Sequence, residues 1–268
     1  MSYIFRAGVT LQGTLMNHSS TVASISHQLA EAAQLANYSI PFILGETNSL
    51  YNEGRPGLSN SFGAALWGVD FNLWCAANNI MRVHMHQGTD YRYASWQPIT
   101  TSKTSIGTKP PYYGNIAVAN FLGNTGRTPT RIANLPLPND EESAYAAYEN
   151  DALRRVIVVN MQEYNYSLNT NESWTDPAGT VRPVATYAFS APEECVGRAT
   201  VQRLMANGSD AITGVTWNGI SYNYELAHGM PVPLFNVTRD EIIPVCKDGS
   251  FSVNVPWSSA AMVVLNCQ

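Results

Sequence analysis

A short apolar run that stops at a carboxylate constrains this chain more than any other feature. Phe42, Ile43 and Leu44 are continuous rather than alternating, the pattern of a strand covered on both faces, as in a parallel sheet wrapped by helices. Glu46 stands at the carboxyl end of that run. Thr47, Asn48 and Ser49 then lead into a loop rich in glycine and proline, so the chain leaves the sheet just beyond the acid. In α/β sheets, open or closed, that end carries the chemistry. The pattern alone leaves Glu46 open between such a role and a helix-capping or surface glutamate.

The flanking segments supply the rest of an α/β arrangement. Ser19 or Ser20 caps a preceding helix with Val22, Ile25, Leu29, Ala32 and Ala36 on one stripe. After the loop, Ser59 or Asn60 opens a second helix through Phe62, Leu66, Val69, Leu73 and Ala76, ending at Asn78-Asn79, with Trp67 and Trp74 in the core. Ile80 to Gln87 alternates as a strand, with Arg82, His84 and His86 on one side and Met81, Val83 and Met85 on the other. A short helix near Gly114 to Leu122 closes this part. Helix, strand, helix, strand is a parallel α/β order.

Beyond Gly126 the texture changes to short β-branched or aromatic runs: Val156 to Met161, Thr186 to Phe189, Thr213 to Trp217, Phe251 to Val255 and Met262 to Leu265. The turn signals Asp176-Pro177-Ala178-Gly179, Asn207-Gly208, Asn218-Gly219 and Asp248-Gly249 separate them, as in an antiparallel β-sandwich. The division falls near residue 125, giving an α/β part over 1–125 and a β-sandwich over 126–268, without internal repeats.

Composition removes other classes. With 268 residues, 45% of them hydrophobic, the chain can bury a sizeable core. Its net charge of −5 argues against nucleic acid, which demands a basic face. Zinc-type Cys or His spacing and a phosphate-cradling glycine loop are both missing, so neither metal nor cofactor is expected. No run of about twenty apolar residues exists to span a membrane. Glycosylation triplets at Asn17, Asn37, Asn165, Asn171, Asn207 and Asn236 suit a secreted glycoprotein. Of the cysteines Cys75, Cys195, Cys246 and Cys267, three fall in the last third, where one disulfide is expected, and Cys75 reads as a buried helical thiol. Residues Met1 to Met16 hold no signal-peptide core. The chain is therefore expected to be intracellular, or the carboxyl-terminal part of a longer secreted protein.

The string Leu44-Gly-Glu-Thr-Asn-Ser49 followed by Tyr51, the helix from Leu58 to Asn78, the His-containing strand Ile80 to Gln87 and the sandwich beyond resemble glycoside hydrolase family 79 over nearly the whole chain. Within that family the fungal β-glucuronidases match best, and heparanase is more distant. The resemblance implies a (β/α)₈ TIM barrel with a β-sandwich beside it, the Glu46 strand being the seventh barrel strand and Ile80 to Gln87 the eighth. It implies a retaining glycosidase acting on terminal glucuronic or 4-O-methylglucuronic acid, with Glu46 as nucleophile and no cofactor. Tyr51, His86 and Tyr93 match positions that line the sugar subsite. Asn52-Glu53-Gly54-Arg55 stands where relatives have consecutive glycines, and Arg55 offers a bidentate partner for a uronic carboxylate.

A retaining mechanism needs a second carboxyl group about 5 Å away. The family takes it from the fourth barrel strand, as the second member of an Asn-Glu pair, whereas the only acid before Glu46 here is Glu31, on a helix. Glu53 and Asp90 read as residues of solvated loops. The chain is thus expected to be a carboxyl-terminal portion without its acid/base and its amino-terminal barrel half, inactive alone and with an open strand edge. The alternative is a non-catalytic carbohydrate-associated β-sandwich module.

Overall fold

The computed structural model describes residues 8–38, 40–124, 126, 128–166 and 181–267. A π-helical turn, Leu11–Leu15, precedes α1 (His18–Ser24) and α2 (Ser26–Gln34), and β1 (Ile43–Thr47) follows. Next come α3 (Phe62–Ala77), β2 (Arg82–Met85), the two-residue strands β3 (Trp96–Gln97) and β4 (Gly107–Thr108), and α4 (Pro110–Leu122). From there the chain is mostly strands: β5 (Thr130–Leu135), β6 (Glu142–Glu149), β7 (Ala152–Asn160), β8 (Val184–Ser190) and β9 (Gly197–Met205). It ends with β10 (Thr216–Trp217), β11 (Ile220–Ser221), α5 (Tyr224–Ala227), β12 (Val232–Pro233), β13 (Glu241–Val245), β14 (Ser250–Pro256) and β15 (Ser259–Leu265).

Nine of these strands form one antiparallel sheet, ordered β12-β11-β10-β9-β15-β7-β6-β5, with β13 also paired to β9. Its two faces serve two cores, because side chains along a strand alternate sides. Ala144, Ala146, Val156, Val158, Ala261 and Val263 pack toward the β8–β14 pair, with Tyr187, Phe251, Val253 and Val255. Tyr145, Ala147, Ile157, Val159, Ala260 and Met262 pack the other way, against α3 and α4. This double burial explains why β7 and β15 read as unbroken apolar runs. The fold is therefore mixed α/β with mostly antiparallel sheets; β1 and β2 pair parallel.

Local chemistry accounts for the helix ends. Ser61 caps α3, its Oγ accepting from Ala64 N, and Asn78 closes it. Pro110 and Pro111 occupy the first turn of α4, where a missing N–H costs nothing, and Gly123 ends it at φ 69°. The two helices cross at Gly114, where any Cβ would lie 2.6 Å from Ala65 O. Asn218 and Gly219, at φ 48° and 70°, form the β10–β11 turn that their dipeptide signals.

Several expectations are corrected. The first helix is capped by Asn17, whose Oδ1 accepts from Ser20 N at 2.8 Å, while Ser20 Oγ donates to Gly13 O and Ser19 Oγ to Asp140 Oδ1. It breaks at Ile25, and α2 buries none of its residues. β1 is not covered on both faces: Leu44 is buried but Ile43 is 45% exposed, and β2 is its one strand partner among the described residues. Arg82 to Met85 alternate as expected, but Met81 lies outside the strand and is 66% exposed. Glu53 and Asp90 are half-buried and engaged. Glu53 pairs with Arg92 at 3.5 Å and Lys103 at 3.8 Å, and Asp90 Oδ1 accepts from Gln97 and Thr101. Asn165, 1% exposed with Nδ2 donating to Glu163 Oε1, has no room for a glycan. Asn37, Asn207 and Asn236 are exposed and Asn17 is partly so; Asn171 and the Asp176 to Gly179 turn lie outside the described residues.

A buried polar cluster ties the amino-terminal segment to both layers. Asp70, fully buried within α3, accepts from Tyr145 OH at 2.7 Å and pairs with His18 Nδ1 at 2.9 Å. His18 N also donates to Asp140 O at 2.6 Å. Burial pulls the His18 pKa down, but the hydrogen bond and charge of Asp70, with Asp140 behind them, outweigh it and leave the imidazole above its ordinary value. Burial and Asp70 likewise push the Tyr145 phenol well up.

Cys195 and Cys267 form a disulfide spanning 72 residues; Cys75 is a buried thiol on α3 and Cys246 an exposed one. A loop of that length is worth about 4 kcal/mol by chain entropy. Cys195→Ser is expected to lower the unfolding free energy by about that amount or somewhat less, read from urea denaturation; an unchanged midpoint refutes it. The raised pKa of His18 means that its stabilisation is complete below about pH 6.5 and fades as pH rises through the folded value. Thermal midpoints are expected to fall over that rise in the wild type and to stay flatter in His18→Gln.

Candidate active site

β1 and β2 are parallel neighbours, and their register slips between Leu44 and Thr47: Leu44 faces Val83 and Thr47 faces Met85, so β1 carries one extra residue. Glu46 lies within that bulge. Bulges re-aim side chains and terminate pairing, and here the exposed carboxylate is presented at the carboxyl end of the strand. The ends of the two strands are laced together. His86 N donates to Thr47 O at 2.9 Å, and Asn48 Nδ2 donates to His86 O at 2.9 Å.

Beside Glu46 the loop after β2 builds an aromatic corner. His86 Nδ1 and Tyr93 OH are 2.9 Å apart, and the ring of Tyr91 stands 5.3 Å from His86 and 5.6 Å from Tyr93. Tyr93 is 7% exposed. Burial first, then the nearby Tyr91, Glu46 and Glu53, push its phenol above the ordinary value, so it remains a donor at neutral pH. Lys109 Nζ donates to Tyr91 O at 2.7 Å and holds the loop from below.

A cleft of about 290 Å³ opens on the other side of Glu46, between β1 and the α1–α2 segment. Ser24, Gln28, Thr47, Ser49, Trp67 and Phe71 line it. Gln28 Oε1 and Ser49 Oγ are buried there without hydrogen-bond partners among the described residues. Such groups are costly unless something else satisfies them.

Of the residues singled out in the sequence, the fold brings Glu46, His86 and Tyr93 together. Tyr51 and Arg55 lie on the loop after β1, both exposed and neither hydrogen-bonded to those three. Asn52, Glu53 and Gly54 in that loop have φ of 55°, 66° and 79°, the region that consecutive glycines adopt freely. Tyr91 was not legible as a site residue, although its spacing of two from Tyr93 is the one signal available. Among the described residues no group of three or more His, Cys, Asp or Glu is placed to hold a metal ion, and no helix is long and apolar enough to cross a membrane.

Comparison with known proteins adds an independent line. Residues 144–262 match the glycosyl hydrolase family 79 C-terminal beta domain. A beta-glucuronidase of Aspergillus niger is 57% identical over 265 residues, covering 96% of this chain and 48% of that protein. A beta-glucuronidase of Neurospora crassa is 52% identical over 253 residues, covering 87% and 45%. The chain thus spans about half the length of the curated relatives it matches. A 4-O-alpha-L-rhamnosyl-beta-D-glucuronidase of Fusarium oxysporum, solved as its Rha-GlcA complex, superposes with a TM-score of 0.78 over 96% of this chain and 50% of that one. At 23% identity that likeness is one of fold.

The corner itself is testable. Tyr93→Phe removes the hydrogen bond to His86 and is expected to cost about 1 kcal/mol in urea denaturation; a variant as stable as the wild type shows that the bond contributes nothing.

Proposed function

The chain belongs to glycoside hydrolase family 79, whose C-terminal beta domain it carries over residues 144–262, and from that premise we propose that it is the carboxyl-terminal part of a retaining β-glucuronidase with Glu46 as nucleophile. One observation carries the reading: an exposed carboxylate at the bulged carboxyl end of a parallel strand, beside the bonded His86–Tyr93 pair. The substrate is a glycan or glycoconjugate ending in glucuronic or 4-O-methylglucuronic acid. Glu46 attacks the anomeric carbon as the bond to the leaving oxygen breaks, that oxygen taking a proton from an acid/base carboxyl supplied by the remaining half of the barrel, and the same group then takes a proton from the water that hydrolyses the glycosyl ester. The protonated Tyr93 phenol and His86 hold the sugar from one side. Tyr51 and Arg55 reach it from the loop after β1, Arg55 toward the uronic carboxylate.

We read residues 1–125 as the last two strands and helices of a (β/α)₈ barrel and residues 126–268 as the accompanying β-sandwich. The parallel β1–β2 pair supports this, because parallel sheets occur with both faces covered and two strands do not close a barrel. We assign the acid/base role to no residue of this chain, and the chain alone is inactive. The disulfide and the exposed Asn37, Asn207 and Asn236 support an extracellular setting.

Joined to the remaining half of the Aspergillus niger relative, the chain is expected to hydrolyse an aryl β-glucuronide, with Glu46→Gln lowering kcat by ~10³-fold or more. Normal turnover by that variant rejects the nucleophile.

A further inference from the structure

A second cavity, of about 400 Å³, lies between the β3–β4 hairpin and α5, in a wall that Glu46 does not share. Trp96, Tyr112, Tyr224 and His228 form its sides, with Thr108 at its edge. Trp96 is 51% exposed and meets the Tyr112 ring edge-on at 6.3 Å, while Tyr224 meets His228 edge-on at 5.0 Å. An indole half in water beside three further rings is an incomplete aromatic cluster.

The frame beneath is fixed. Thr108 Oγ1 donates to Tyr222 O at 2.7 Å, and Tyr113 OH donates to Asn223 Oδ1 at 2.8 Å, tying α4 to the α5 segment. His228 is held in the left-handed region, φ 53°, with its N–H donating to Tyr224 O. The rigid wall contrasts with its polar tips. Among the described residues the Trp96 indole N–H, the Tyr112 and Tyr224 hydroxyls and the His228 ring nitrogens have no hydrogen-bond partner. Among the described residues no Asp, Glu, Lys or Arg lines the cavity.

We propose that this cavity is a binding subsite for a neutral pyranose residue of an oligosaccharide. A pyranose ring offers an apolar C–H face, which aromatic surfaces cover, and a rim of hydroxyls, which unpaired N–H, O–H and imidazole groups satisfy. The absence of charged lining residues favours a neutral sugar over a uronic acid. The subsite goes beyond the glycosidase reading and does not need Glu46: it would hold a distal part of a glycan whatever happens at β1.

Calorimetric titration of the 268-residue chain with xylotetraose, cellotetraose and a β-galactotetraose tests it. At least one is expected to bind, with the same affinity for Glu46→Gln, and about tenfold or more weaker for Trp96→Ala and for Tyr224→Ala, the loss of one aromatic contact. Absence of binding by all three overturns the proposal, as does equal binding by both aromatic variants. Binding lost in Glu46→Gln but kept in Trp96→Ala places the sugar in the Glu46 cleft and overturns it too. Concentration-dependent dimerisation that Trp96→Ala abolishes identifies a second copy as the occupant. A failed nucleophile with intact sugar binding separates this inference from the proposed function.

Discussion

The middle of the nine-stranded sheet, at β6, β7 and β15, is buried on both of its faces, and much of the molecule is arranged to make that possible. Along the middle of β6, β7 and β15 the buried residues alternate between two cores, Ala144, Ala146, Val156 and Val158 toward β8 and β14, and Tyr145, Ala147, Ile157 and Met262 toward α3 and α4. A sheet covered in this way cannot shift register by one residue without exchanging its two cores. The helical layer is thereby fixed relative to the strands, and with it the position from which α3 supports β1 and β2.

The same double burial decides what the sequence reveals. β7 and β15 stand out because continuous burial demands continuous apolar residues. β6 does not, since Glu142 to Glu149 reads Glu-Ser-Ala-Tyr-Ala-Ala-Tyr-Glu and its small residues carry no strand signal, although Ala144, Ala146 and Ala147 are all buried. β9 alternates Ala199 and Val201 against Arg198, Thr200 and Gln202, a weak pattern because its partners β15, β10 and β13 supply the missing hydrophobicity. The end of β1 was legible at Glu46, but the bulge that presents the acid depends on pairing with β2, and Gly45 within it is the residue-level sign that accompanies it. Ile43 misled for a related reason: its apolar character anticipates a neighbour that the described strands do not provide.

Electrostatics was the least visible layer. Asp70 is the one charged residue of α3, a helix apolar on nearly every side, but nothing in the sequence says which distant residues pair with it. It is tolerated at the centre because His18, far upstream, and Tyr145, far downstream, both reach it. Removing one partner of such a group costs far more than the group's net contribution, so this buried carboxylate couples the amino-terminal segment to the sheet alongside the bonds of His18 N and Ser19 to Asp140. The aromatic corner at His86 depends on a similar economy of contacts, with Tyr93 held between a hydrogen bond on one side and a neighbouring ring on the other.

The Cys195–Cys267 bond makes a covalent ring of the last third of the chain, closing over β9, β13, β14 and β15 together with the exposed stretch around Phe235. Exposed stretches are where peptide bonds are cut first. A single cleavage inside that ring leaves both new ends attached through sulfur, and the strands on either side remain paired across the sheet. Damage of this kind relaxes a loop without detaching a piece, and the central strand β15 keeps both of its neighbours.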